Sequence, residues 1–444
     1  MLTRIGQPPE EGLTTVRAAD AAFPAPFASG LEYASPARGT WNIVHTGMLI
    51  PQSHEIFVCA AGCLRGVVLT AAEMGATDRF STVAIRENNV LDGDMEELII
   101  EGVTDILHKL PRMPKAVLVY TSCIHHFMAS DLARVYRVLR QRFPGVGFTD
   151  CYMNPIMRKS GLAPDQLMRR QLYSLLEPRA LDEKAVNIIG NDLPTDEDAD
   201  FVRLIRDNGF TLRDITRCRS YDEYHLMASS FLNISTYPSA RAGGDALKAR
   251  LGQKHLYLPN AYDFDEIESQ LISLAGELGA VYPGSGSRRA EADAALKKAR
   301  DAVGAVPVAI DYTAVSRPLQ LARLLTQYGF SVTDVFLDAV PGEDEPALQW
   351  LRQNLPELRL HPTVHPAMRV RPRQTDGRVL AIGQKAAYFT GTDRFVNIVE
   401  DGGMHGFAGI IKLAGLMEDA VNTPKDTRSL IQVKGLGCGG GCCG

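Results

Sequence analysis

His54-Glu55-Ile56-Phe57-Val58-Cys59-Ala60-Ala61-Gly62-Cys63 is an apolar run that closes on two cysteines four residues apart, beside a glycine. Val119-Tyr120-Thr121-Ser122-Cys123 and Phe148-Thr149-Asp150-Cys151 repeat the motif of an apolar run closed by a cysteine. Thiolates at turns, flanked by small residues that admit a bulky inorganic core to the backbone, are what iron–sulfur ligation requires. Leu64 to Met74 reads as a helix opening immediately after Cys63, and its first N–H groups would stabilise a thiolate or an anionic cluster. The spacing is not the C-x2-C of zinc ribbons, and no second matching pair lies nearby. Cys59, Cys63, Cys123 and Cys151 are therefore the candidate metal ligands. The alternative for each is a packed, inert thiol, which is the reading for Cys218 in Ile215-Thr216-Arg217-Cys218-Arg219.

Other residues carry weaker chemistry. His125 and His126 follow Cys123, but adjacent side chains on a regular element point apart, so they read as capping or hydrogen-bonding groups. Arg158 and Lys159 sit in the polar turn Asn154 to Gly161, where they suit an anionic cluster or substrate, or stand as solvated loop charge. His405, in Gly402-Gly403-Met404-His405-Gly406, lies on a strand-to-helix turn where an imidazole can face a cofactor. Cys151, His405 and Lys159 are the catalytic candidates. Cys438, Cys442 and Cys443 lie in a glycine-rich tail that either folds back on a metal or stays free.

Working outward, short β-branched runs alternate with amphipathic stretches, the mark of parallel α/β units. Ser81 to Ile85 and Lys115 to Tyr120 are expected strands. Between them a helix starts at Asp94 with capping-box spacing and carries Met95, Leu98, Ile99, Val103, Ile106, Leu107 and Leu110 on one face. Ala185 to Asn191 opens a second unit and Val306 to Asp311 a third. The stretch 283–304, with Gly284, Gly286 and an Ala/Lys/Arg helix, reads as the linker out of the second unit. The expected architecture is α/β, with three Rossmann-like domains at 41–182, 183–300 and 301–425. An extended arm at 1–40, lying over a neighbour, precedes them, and a Gly/Cys-rich tail at 426–444 follows.

The 444 residues exceed one ordinary core. A net charge of −5, with no basic stripe interleaved with aromatics, argues against nucleic acid. No apolar run reaches the roughly 18–20 residues of a membrane span, and the first residues lack a secretory layout. Eight cysteines in such a chain do not suggest a disulfide framework, so a cytoplasmic, reducing compartment is expected. No G-x-x-x-x-G-K-[ST] loop, dinucleotide fingerprint or G-x-S-x-G elbow occurs in the right context.

Residues 31–424 resemble the nitrogenase component 1 superfamily, which includes nitrogenase α and β subunits and nitrogenase-like reductases. The likeness rests on the strand running into Gly62-Cys63, the Thr-Ser-Cys at Cys123, the Leu-Ala-Arg-Leu-Leu and Tyr-Gly-Phe of residues 320–330, and the Gly-Phe-Ala-Gly to Asn-Thr-Pro run ending at Pro424. It implies that Cys63 and Cys123 ligate an electron-relay cluster at a subunit interface, of four or eight irons. The family's earlier cysteine is missing from Tyr33 to Gly39, and Cys59 is placed to substitute. It further implies a homologous second subunit in an α2β2 heterotetramer and an ATP-dependent iron–sulfur reductase partner. A nitrogenase-type active-site cofactor and a small-molecule substrate complete the picture. The cysteine that holds such a cofactor in α subunits has no counterpart at Asn233-Ile234-Ser235-Thr236, nor does the matching histidine near Val396. Within the group the methylthio-alkane reductase subunits, which cleave carbon–sulfur bonds, are the nearest likeness. A non-catalytic scaffold for cluster assembly is the alternative role.

Overall fold

The computed structural model describes residues 12–27, 43–153, 162–369, 371 and 378–430. A two-residue strand, β1 (Val16–Arg17), precedes three βα repeats. The first repeat contributes β2 (Ser53–Ala60), β3 (Phe80–Ile85), β4 (Ala116–Ser122) and β5 (Gly147–Met153) in the order β3-β2-β4-β5, all parallel. The second contributes β6 (Asp182–Ile189), β7 (Thr211–Asp214), β8 (Ser230–Ser235) and β9 (Lys254–Tyr257) in the equivalent order β7-β6-β8-β9. The third contributes β10 (Val308–Asp311), β11 (Val332–Phe336), β12 (Arg359–His361), β13 (Leu380–Ile382) and β14 (Phe395–Val396), arranged β12-β11-β10-β13-β14. β1 joins the edge of that sheet antiparallel to β12, with Val16 opposite Leu360. The three-sheet α/β fold expected from the sequence is the fold observed.

Strands buried on both faces read as continuous apolar runs, and β2 and β4 are such strands. Because successive side chains point to opposite faces, Ile56, Val58, Val117 and Val119 pack on the helices Met95–Lys109 and Leu132–Arg142. Phe57, Cys59, Leu118, Tyr120 and Cys151 occupy the other face. There the Phe57 and Tyr120 rings stack with centroids 4.0 Å apart. This second layer continues through Met168, Leu172 and Tyr173 to Ile189, Tyr224 and Leu247, so the first two sheets share one core.

Residues 34–194 and 209–258 accordingly form one compact unit, and the boundary expected at 182/183 falls inside it. Residues 1–33, 195–208 and 259–444 form the other, around the third sheet. In that unit the described part of the N-terminal arm finds its neighbour within its own chain, as the edge strand β1. The Ala/Lys/Arg helix expected within 283–304 is the helix Gly286–Val303; it packs along the helix Gly406–Asn422, with Lys298 and Glu418 paired at 2.7 Å. Two further local expectations need correction. Asp94 caps nothing, because its carboxylate accepts from the Asn89 amide instead. The helix after β2 is Ala61–Glu73, so Cys63 lies within its first turn rather than before it.

The junction between the first two sheets is ionic at its centre. The Arg169 guanidinium pairs with Asp192 with both side chains almost wholly buried, and its Nε donates to the Gly190 carbonyl at 2.9 Å. Thr46 donates to the second oxygen of Asp192 at 2.9 Å. Removing one member of such a pair strands a buried charge, whereas apolar replacement of both is tolerated. Arg169→Met is expected to lower unfolding free energy by about 3–5 kcal/mol in urea melts. The double variant Arg169→Met with Asp192→Leu is expected to recover most of that loss.

Candidate functional site

In an open parallel sheet, ligands collect beyond the carboxyl ends of the strands, where the connection order reverses. In the first sheet that reversal lies between β2 and β4, whose register pairs Val58 with Thr121. Two helices start at this point, Ala61–Glu73 after β2 and the short Cys123–Phe127 after β4. Cys63 is the third residue of the first helix and Cys123 opens the second. Cys59 is the last inward-facing side chain of β2, fully buried, whereas Cys63 is exposed and Cys123 partly so.

These three thiols lie within electrostatic reach of one another. Burial, then the neighbouring Cys63 and Cys123, push Cys59 up to about 12. Burial and Cys123 likewise raise Cys63. Without a cation, then, Cys59 and Cys63 hold their protons at neutral pH. A metal core supplies the positive charge that would turn them into thiolates. Among the described residues no three His, Cys, Asp or Glu side chains converge as a group able to hold a single metal ion. On the same two helical segments Val68 and Leu69, and Phe127 and Met128, are exposed apolar side chains. Gly62 and Gly66 leave that helix's outer face open, since a Cβ at either meets nothing within 4 Å.

The remaining candidates lie elsewhere. Cys151 lies near the end of β5, as expected, opposite Tyr120, fully enclosed, and raised well above its ordinary value by burial. Its charged and polar neighbours are Asp150, Glu55 and Tyr120 rather than the other cysteines. His405 belongs to the other compact unit, as the residue preceding the helix Gly406–Asn422; it is buried edge-on to Phe201 at 5.4 Å and held below its usual value by burial. Lys159, Arg158 and the tail cysteines fall outside the described residues. Cys218 is a half-buried thiol pushed up to about 12 by burial. His125 caps: its Nδ1 accepts from the Ser122 N–H at 3.1 Å, and burial lowers it to about 4.

Sequence reasoning missed two groups. Glu55, in the middle of β2, is wholly buried; the Tyr120 hydroxyl lies 3.3 Å from Glu55 Oε1, 3.0 Å from the Ile43 carbonyl and 3.1 Å from Met168 Sδ. Gly47 lets this cluster close, because a Cβ there would sit 2.1 Å from Glu55 Oε1. The signal was present as a single carboxylate in an apolar strand. In the other unit, Lys385 reaches Tyr312 and Thr363 at 3.3 and 3.1 Å beyond the ends of β10 and β12, following β13. Nothing local in Gly383-Gln384-Lys385 announces that convergence.

Comparison with known proteins follows this geometry. The family model for nitrogenase component 1 type oxidoreductases matches residues 44–377. The chain belongs to that family, whose members typically bind iron–sulfur clusters and form complexes with an Fe protein. No curated protein matches the chain in sequence. A solved structure titled nitrogenase Cp1 at pH 6.5 superposes with a TM-score of 0.67 at 14% identity, over 89% of this chain and 94% of that one. A second, nitrogenase Cp1 at pH 5, gives 0.57 at 11% identity over 95% and 91%. Among the described residues no helix is long and apolar enough to cross a membrane.

Burial raises Glu55 well above the ordinary carboxylate range, against the opposing pull of Arg79 and Tyr120. A group raised on folding contributes stability below its unfolded value, and that contribution drains away as pH climbs through the folded value. Glu55→Gln is therefore expected to flatten the fall in stability between about pH 5 and pH 8, read by urea melts across that range. In metal-free protein, peptide mapping after brief alkylation is expected to find Cys63 labelled first. Cys59, Cys151 and Cys218 should react only on unfolding.

Proposed function

We propose that this chain is a subunit of a two-component, nitrogenase-like reductase, in which Cys63 and Cys123, with Cys59 behind them, ligate an iron–sulfur cluster at the contact with a homologous second subunit. One observation supports the reading: Cys59, Cys63 and Cys123, at the ends of two adjacent strands, lie within electrostatic reach of one another at the sheet's reversal point. When bound, the cluster supplies one-electron transfer at a potential tuned by its charge, hydrogen bonds and surroundings. The chain's own part is to hold the thiols on the first turns of two helices, whose N–H groups favour negative sulfur. Val68, Leu69, Phe127 and Met128 keep water from that edge once a second apolar surface covers them. A cluster whose nearest thiol is exposed on one chain needs its remaining ligands from another. This supports contact with a second subunit, of which the α2β2 assembly is the expected form.

An ATP-dependent iron–sulfur reductase would be the electron source, and the reaction served would be reduction of a small molecule at a metallocluster active site. The narrower expectation is carbon–sulfur cleavage of methylthio-alkanes. Cys151, Lys159 and His405 are the chain's candidates for contact with that chemistry. Of these, the enclosed Cys151 thiol offers no open path to a ligand. A second role, scaffold for cluster assembly, is favoured by Asn233 to Thr236, which bring no thiol to the end of β8. Transfer of cluster to an apo-protein without substrate turnover would select the scaffold role.

Anaerobically purified protein, together with its second subunit, is expected to be brown and to contain iron and acid-labile sulfide. Cys63→Ala combined with Cys123→Ala is expected to abolish both the visible absorption and the sulfide. Retention of both would refute the ligand assignment.

A further inference from the structure

His361 closes β12 and is wholly buried, its ring stacked on Phe336 with centroids 4.8 Å apart. Its Nε2 stands 2.7 Å from Asp334 Oδ1 on the neighbouring strand β11. Arg359 holds the same carboxylate at 2.8 and 2.6 Å. An acceptor of this kind keeps a proton on Nε2. The other ring nitrogen, Nδ1, has three neighbours. They are the Thr14 carbonyl at 2.8 Å, Arg371 Nη1 at 2.8 Å and the Thr15 hydroxyl at 3.1 Å.

Those three cannot all be served at once, because a carbonyl only accepts and a guanidinium only donates. With a proton on Nδ1 the ring is an imidazolium that donates to Asp334 and to Thr14, and Arg371 opposes it as a like charge. With Nδ1 bare the ring is neutral and accepts from Arg371 or from the Thr15 hydroxyl. The Thr14 carbonyl then loses its donor. One buried proton therefore selects between two hydrogen-bond sets. Among the described residues, the charged groups facing the ring are Asp334 and Arg371, with Arg359 behind Asp334. From the arm come the uncharged Thr14 and Thr15; its ion pairs, Arg17 with Asp20 and with Glu357, are exposed.

Thr14 and Thr15 lead directly into β1, whose two residues pair with β12. Beyond it, the Ala18 and Ala19 N–H groups donate to the Leu358 and Pro356 carbonyls at 2.8 and 3.1 Å. A strand this short has few ladder bonds of its own. A charge-assisted bond at its start is correspondingly important.

We infer that His361 is a proton-operated clasp for the N-terminal arm. The imidazolium holds Thr14 and seats β1 on the edge of the third sheet, whereas the neutral ring turns to Arg371 and loosens the arm. Docking favours the protonated ring, so its contribution is present on the acid side and is lost as pH rises through the docked value. Burial draws the ring below its ordinary value against the pull of Asp334, and Arg371 adds to the fall. The changeover accordingly lies on the acid side of a free imidazole. A loosened arm uncovers the backbone edge of β12, which makes the clasp a pH-dependent cover for that edge. The arm, His361 and Arg371 belong to the unit without the thiols, so the test does not depend on the proposed function.

Hydrogen–deuterium exchange of the full chain, read by mass spectrometry on peptides covering residues 14–21 and corrected for intrinsic pH dependence, is followed from about pH 4.5 to pH 8. Protection of the arm is expected to fall at least about tenfold across that range in the parent, while β10 keeps its protection. His361→Asn, which does not titrate, is expected to show no such fall. Arg371→Gln removes the competing donor and the like charge, and is expected to move the changeover to higher pH. Should His361→Asn fail to fold, the shift in Arg371→Gln decides. Arm protection that is flat with pH in the parent, or an unmoved changeover in Arg371→Gln, would overturn the inference. An equal fall in His361→Asn would overturn it as well, assigning the effect to the exposed Arg17, Asp20 and Glu357.

Discussion

The parallel pairing of β2 with β4 is the constraint from which the rest of the first unit follows. Once Val58 lies beside Thr121, both strands end at the same edge, and both following helices must begin there. Cys63 and Cys123, sixty residues apart in the chain, are thereby brought to one place. The same register sets Phe57 over Tyr120 and puts Cys59 on the inner face, while Ile56 and Val58 are sent to the opposite layer. A slip of one residue would exchange the two faces and carry Cys59 away from its partners.

Electrostatics then divides the cysteines into classes that their spacing does not reveal. Cys59, Cys151 and Cys218 are all raised by burial, but only Cys59 is raised further by other thiols. Mutual repulsion among neighbouring thiolates is unfavourable in isolation and becomes an asset when a metal core sits among them. Polar groups elsewhere in the interior follow the same logic. Arg169 and Asp192 satisfy each other between two sheets, and burial raises Glu55 beneath Tyr120 well above the ordinary carboxylate range. Asp401 retains one oxygen without a partner.

Much of the fold was legible because it rests on local pattern. The helical face of Met95, Ile99, Val103 and Leu107 is the buried face. The run Ala185 to Ile189 is a strand that turns at Gly190, whose φ is 75°. Less was legible where a local signal competed with a distant partner. Asp94 had the spacing of a cap, but Asn89 took its carboxylate. The Ala/Lys/Arg stretch 286–303 was legible as a helix but not its packing, because only Ala292, Leu296, Ala299 and Val303 are buried along it, a stripe too narrow to stand out. Val16 and Arg17 carried no strand signal at all, since their partner is residues 359–360.

The class of fold, the family and the cysteines worth weighing were readable from the residues alone, because periodicity and strand-end motifs are local properties of the chain. The surroundings of each cysteine come from packing. Packing leaves Cys59 within electrostatic reach of Cys63 and Cys123, encloses Cys151 against Tyr120, and pairs Arg169 with Asp192. Those outcomes depend on which strand lies beside which and on how much water each group loses. Both are properties of the packed chain and of no single segment.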